Sequence, residues 1–110
     1  MTPEELTRAV AERCMGWTEV RSTSCQSDLW GYHDIGWQDV PAYATDVTAA
    51  WEVVEWMRRH GSVTIDLGNV HDQVHVAYKS RGPQTWAPTM PEAVCLCALA
   101  VADQEKEAKL

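Results

Sequence analysis

The stretch DVTAAWEVVEWMRRHGSVTIDLGNVHDQVHVAYK, residues 46–79, decides the fold class, because its hydrophobic period changes at Gly61. Before Gly61 the period is helical. Val47, Trp51 and Val54 form one stripe, and Ala49, Val53 and Trp56 form a second on another side. Two stripes imply a helix, from about Asp46 to His60, that is covered on more than one side. Thr45 or Asp46 can cap it, and Glu55 with Arg59 makes a favourable i,i+4 pair. Arg58, Arg59 and His60 place positive charge at the carbonyl end of the helix dipole. After Gly61 the period is two. Val63, Ile65 and Leu67 alternate with Thr64 and Asp66, and Gly68-Asn69 signals a turn. His71 to Lys79 alternates again, with Val74, Val76 and Tyr78 on one side and His71, Gln73, His75 and Lys79 on the other. This predicts an antiparallel hairpin with one buried face.

On the C-terminal side, Arg81-Gly82-Pro83 breaks the strand, and a third helix begins at Thr89. Thr89 and Glu92 have capping-box spacing, with Pro91 in the first turn. Ala93 to Ala102 is apolar all round, so this helix is expected to be buried by a sheet and by another helix or a second subunit. The charged tail from Asp103 is expected to fray. On the N-terminal side, Thr2 and Glu5 cap a helix from Pro3 to about Met15, whose stripe is Leu6, Ala9, Val10 and Cys14. Gly16 is placed to end it, and Trp17 to fold back on the stripe. Residues 18–44 read less clearly, with short strands near Glu19–Thr23 and Leu29–His33. Helices around a small antiparallel sheet make a layered α/β/α sandwich of the α+β class. The 110 residues form one domain, 1–110.

Composition narrows the function. Sixteen acids against nine bases give a net charge of −7, which disfavours a nucleic-acid polymer as partner, since phosphate contacts need cations. No apolar run approaches the ~18 residues that span a bilayer, and the polar N-terminus is not a signal peptide, so no membrane partner is expected. Four cysteines without a secretion signal read as reduced thiols. Cys95 and Cys97, two apart on a helix, point to opposite sides and cannot share a metal. His71 and His75 sit ~13 Å apart along a strand, too far for one ion. No metal ligands and no cofactor are therefore expected. Phosphate-cradling loops, nucleophile elbows and zinc-protease motifs are all missing from the sequence, so no catalytic residue is assigned and an enzyme is not expected.

Three blocks of the chain resemble one family. VAERCMGW (10–17), PAYATDVTAAWEVVE (41–55) and APTMPEAVCLCAL (87–99) are similar, in order, to the phage ABA sandwich domain family. Ala44 and Cys14 depart from the usual Ser and aliphatic residue, and the Trp- and His-rich stretch around 27–39 is enlarged. The resemblance implies a phage or prophage origin, a place in the cytoplasm of the bacterial host, and a sheet packed between helices. It brings no catalytic residues with it.

The aromatic usage points to binding. Six Trp and three Tyr occur with no Phe, and Trp is enriched at interfaces and pocket walls. Trp30, Tyr32, His33, Trp37 and Trp86 offer flat faces, and Arg58, Arg59, Lys79 and Arg81 offer phosphate contacts. The expectation is a non-enzymatic binder of a small anionic, nucleotide-like ligand, acting as a sponge for host nucleotide immune signals. A homo-oligomer is expected with it. The alternative is an acidic module that docks on a host or phage protein.

Overall fold

The computed structural model describes residues 2–22, 29–33, 36–66, 73–79 and 81–108. The predicted turn at Gly68-Asn69, together with Cys25, Leu67 and His71, lies outside them. In chain order the elements are α1 (Pro3–Arg13), β1 (Thr18–Ser22), β2 (Leu29–His33), β3 (Gly36–Asp39), α2 (Val47–Arg58), β4 (Val63–Asp66), β5 (Val74–Tyr78), β6 (Gln84–Ala87) and α3 (Met90–Ala108). The strands form two antiparallel three-stranded sheets, β1-β2-β3 and β4-β5-β6. The α+β sandwich is as expected, with its sheet content divided in two.

The N-caps follow the sequence. Thr2 Oγ1 accepts from the Glu5 amide at 3.2 Å, Asp46 Oδ1 from the Thr48 amide at 2.9 Å, and Thr89 Oγ1 from the Glu92 amide at 3.4 Å. α1 ends at Arg13, and Gly16 then takes φ +79°, a left-handed conformation that suits a residue without Cβ. The turn sends Trp17 back, and its amide donates to the Ala11 carbonyl at 3.0 Å. On α2 the charged pair is Arg58 with Glu55 at 2.8 Å, rather than Arg59 with Glu55. Arg59 instead donates its amide to the Glu55 carbonyl as the C-cap.

α3 is the hub of the core. It packs against α1, α2, β5 and β6. Ala93, Val94, Cys95, Cys97, Ala98 and Val101 are fully buried. Elements of the same chain cover this helix, so its apolar character does not call for a second subunit. The helix runs through the charged segment from Asp103 to Ala108. In contrast, part of the first α2 stripe lacks cover, with Val47 52% and Trp51 51% exposed. In the second sheet, Val76 and Tyr78 of β5 face α3, while His75 and the neighbouring Trp86 of β6 lie on the outer side.

Candidate functional site

Alternation along β2 builds the site. Leu29 and Gly31 are buried, and Trp30 and Tyr32 between them face out. His33 departs from the expected group by turning inward. Its ring stacks on Trp17 with centroids 4.6 Å apart, and its Nε2 lies 3.0 Å from the Met15 carbonyl oxygen. Trp17 Nε1 donates to Tyr43 Oη at 3.1 Å, and the Tyr43 carbonyl accepts from Cys95 Sγ at 3.2 Å. This buried relay ties β2 to α3 and holds the parity that leaves Trp30 and Tyr32 outside. Burial pushes the Tyr43 hydroxyl up to about 12, against a smaller lowering by the Trp17 hydrogen bond.

β3 completes the cluster. Its register pairs Tyr32 with Trp37 and Trp30 with Asp39. The Trp30 and Trp37 centroids are 5.1 Å apart with planes tilted by 53°, and Tyr32 meets Trp37 edge-on at 6.1 Å. Arg21, opposite Trp30 on β1, holds its guanidinium carbon 5.9 Å from the Trp37 centroid. Trp30, Tyr32 and Trp37 are 38%, 42% and 46% exposed. Such exposure of three large rings in contact is a patch rather than scattered surface residues. Arg21 was not anticipated. The strand was legible, but a register irregularity between Thr18 and Arg21, with Glu19 at φ 52°, sets which way Arg21 points.

The remaining expected site residues lie on other elements. Trp86, 56% exposed, stacks on His75 at 4.6 Å, and His75 Nε2 is 3.0 Å from Gln84 Oε1. Arg58 is engaged with Glu55, and Arg59 is exposed at the end of α2. Lys79 Nζ lies 5.3 Å from the Tyr78 ring centroid, and Arg81 is exposed at the turn before β6. Among the described residues, none of these four cations contacts the Trp30–Tyr32–Trp37 cluster. The structure therefore groups three of the nine expected residues and adds Arg21.

Two clefts open near the start of α1. One of about 470 Å³ is lined by Pro3, Thr7, Leu29, Val40, Ala42 and Thr45 among others. Another of about 220 Å³ lies between Pro3, Leu6, Ala44, Thr45, Thr89 and Glu92. Among the described residues, neither is lined by a cation or by one of the expected site residues. The buried Thr7 hydroxyl already accepts from the Ala44 amide at 3.1 Å. No group of three His, Cys, Asp or Glu among the described residues is arranged to hold a metal ion. No helix among them is long and apolar enough to cross a membrane.

A model of the phage ABA sandwich domain matches residues 8–99. The crystal structure of a phage protein from Bacillus cereus superposes with a TM-score of 0.71 at 24% identity, covering 94% of this chain and 89% of that one. That likeness is one of fold. No curated protein matches the chain.

Proposed function

The chain belongs to the phage ABA sandwich domain family, and from that premise we propose that it is a non-enzymatic interaction module that docks a protein partner on the outer face of β1–β3. The observation that carries this reading is the contact cluster of Trp30, Tyr32 and Trp37 with Arg21 over the Trp37 indole. Trp, Tyr and Arg are the residue types that dominate binding energy at protein interfaces. The rings lie on an open sheet face, whereas small ligands are held in concavities that cover most of their surface. A phage protein of this family would meet a partner supplied by phage or host.

The test is a paired capture from infected cells with the native chain and a Trp30→Ala/Trp37→Ala variant of unchanged melting temperature. A polypeptide held by the native chain should weaken by about 2 kcal/mol or more, roughly thirtyfold in Kd, on the variant. Equal retention on both chains would refute the docking face.

The second reading is the sequestration of an anionic nucleotide, favoured by the Arg21–Trp37 pair, which could stack a base and hold a phosphate. In this reading the protein traps a host nucleotide immune signal without chemical change. Calorimetry with cyclic and ADP-ribose-type nucleotides separates the two. Heat that disappears in both Arg21→Ala and Trp37→Ala would replace protein docking with ligand capture.

A further inference from the structure

We propose that β3 is the edge on which the partner adds a strand, and that the added segment carries a basic residue two positions before an apolar one. This rests on the docking face proposed above and specifies how it is used.

The register decides which backbone groups are free. The Val40 amide donates to the Leu29 carbonyl at 2.9 Å, which makes that pair a hydrogen-bonded one. Antiparallel neighbours alternate between bonded and non-bonded pairs. With the register of β2 and β3, Gln38 with Gly31 and Gly36 with His33 are therefore bonded, while Trp37 and Asp39 turn both amides and carbonyls away from β2. β3 is the last strand of its sheet, and among the described residues those groups have no partner.

The other edges are protected. β1 has the irregularity at Glu19 and carries charge on Glu19 and Arg21. β4 packs beside α2, and β6 lies between Pro83 and Pro88. β3, Gly36-Trp37-Gln38-Asp39, has neither lysine nor proline nor a bulge, and its one charged side chain, Asp39, stands at the end of the strand.

The side chains then specify the partner. Trp37 and Asp39 are exposed, and their pairing with Tyr32 and Trp30 puts them on the aromatic face. Residues opposite them on an antiparallel incoming strand fall on the same face. The one opposite Trp37 gains by being apolar or aromatic. The one opposite Asp39 gains by being lysine or arginine. Antiparallel direction places the basic residue first. A chain of net charge −7 attracts such a segment. A second copy paired through Gln38 fits less well, because it would set each Asp39 against an indole and bring together two chains of like charge.

A displayed random heptapeptide library selected on the native chain, on Asp39→Lys and on Asp39→Pro tests this. Asp39→Pro removes one outward amide, at an edge position where proline is tolerated, and leaves the three rings in place. Thermal melts first establish that each variant folds. The native chain should enrich peptides with a basic residue two before an apolar one. Those peptides should bind Asp39→Pro about tenfold more weakly or worse than they bind Asp39→Asn, which loses the charge and keeps the amide, as expected when main-chain pairing supplies the affinity. Asp39→Lys should enrich an acidic residue at the first position. Enrichment without this spacing, or binding to Asp39→Pro undiminished from that to Asp39→Asn, would overturn the proposal. If the captured partner is lost from Trp30→Ala/Trp37→Ala but kept by Asp39→Pro, the docking face stands and strand addition falls. Self-association of the native chain that Asp39→Pro abolishes would assign the edge to a second copy and also overturn it.

Discussion

At Cys95 and Cys97, two residues of spacing decide chemistry. The Cys95 thiol donates to the Tyr43 carbonyl and the Cys97 thiol to the Pro83 carbonyl at 3.7 Å, on opposite sides of α3. This divergence was readable from helical geometry alone. Burial pushes Cys95 up to about 12, with a further push from Cys14, and Cys97 up to about 11 against the opposing Thr85 contact. Both are protonated at neutral pH and poor nucleophiles. In a Cys25→Ser chain, an aromatic disulfide reagent at pH 8 should modify no thiol before denaturant is added; prompt labelling would mean the core is open.

The same groups set an alkaline limit. Their protons are held more tightly in the folded chain, so the folded state binds more protons than the unfolded state at high pH, and stability falls there. The ordinary thiol value is 9.0 and that of Tyr43 is 10.0. The contribution is thus intact below about pH 9 and lost as pH rises toward 12. Urea midpoints should decline from pH 9 to 11; a constant or rising midpoint would contradict the burial of these groups.

Among the elements, those with strong periodicity were legible, the four-residue β4 included, and β3 and β6 were not. β3 and β6, GWQD and QTWA, contain too little apolar alternation to announce themselves. They form by pairing with β2 and β5, which is tertiary information. That limit also hid the site, because the cluster exists only when β3 lays Trp37 beside Trp30 and Tyr32. The cations at Arg58, Arg59, Lys79 and Arg81 looked close in a list of residues, yet belong to the end of α2 and the β5–β6 turn. The caps, in contrast, are local and were readable in advance. Asp46→Ala should cost about 1 kcal/mol by urea titration and Asp46→Asn much less, since Asn also accepts from the Thr48 amide. In the β5–β6 turn, a Cβ at Gly82 would collide with the Tyr78 carbonyl. Gly82→Ala should therefore cost about 1–3 kcal/mol by the same measurement.

For the molecule as a whole, the interior closes within one chain. The melting temperature should accordingly be independent of protein concentration; a rise with concentration would show that folding and assembly are coupled. The outside is a different matter, since aromatic surface remains on β1–β3, at Trp86 and at Trp51.

The central place of α3 has a temporal consequence. Cys14 of the α1 C-cap reaches the Ala98 carbonyl across 84 positions of sequence, and Arg13 reaches Asp103 across 90. Translation delivers residues at roughly 5–20 per second. For several seconds, then, a nascent chain holds its first helix, and in turn a second helix and two three-stranded sheets, whose common support has yet to emerge from the ribosome. Its oily surfaces wait in the open for that interval, and chaperones should meet this protein during its synthesis rather than afterwards.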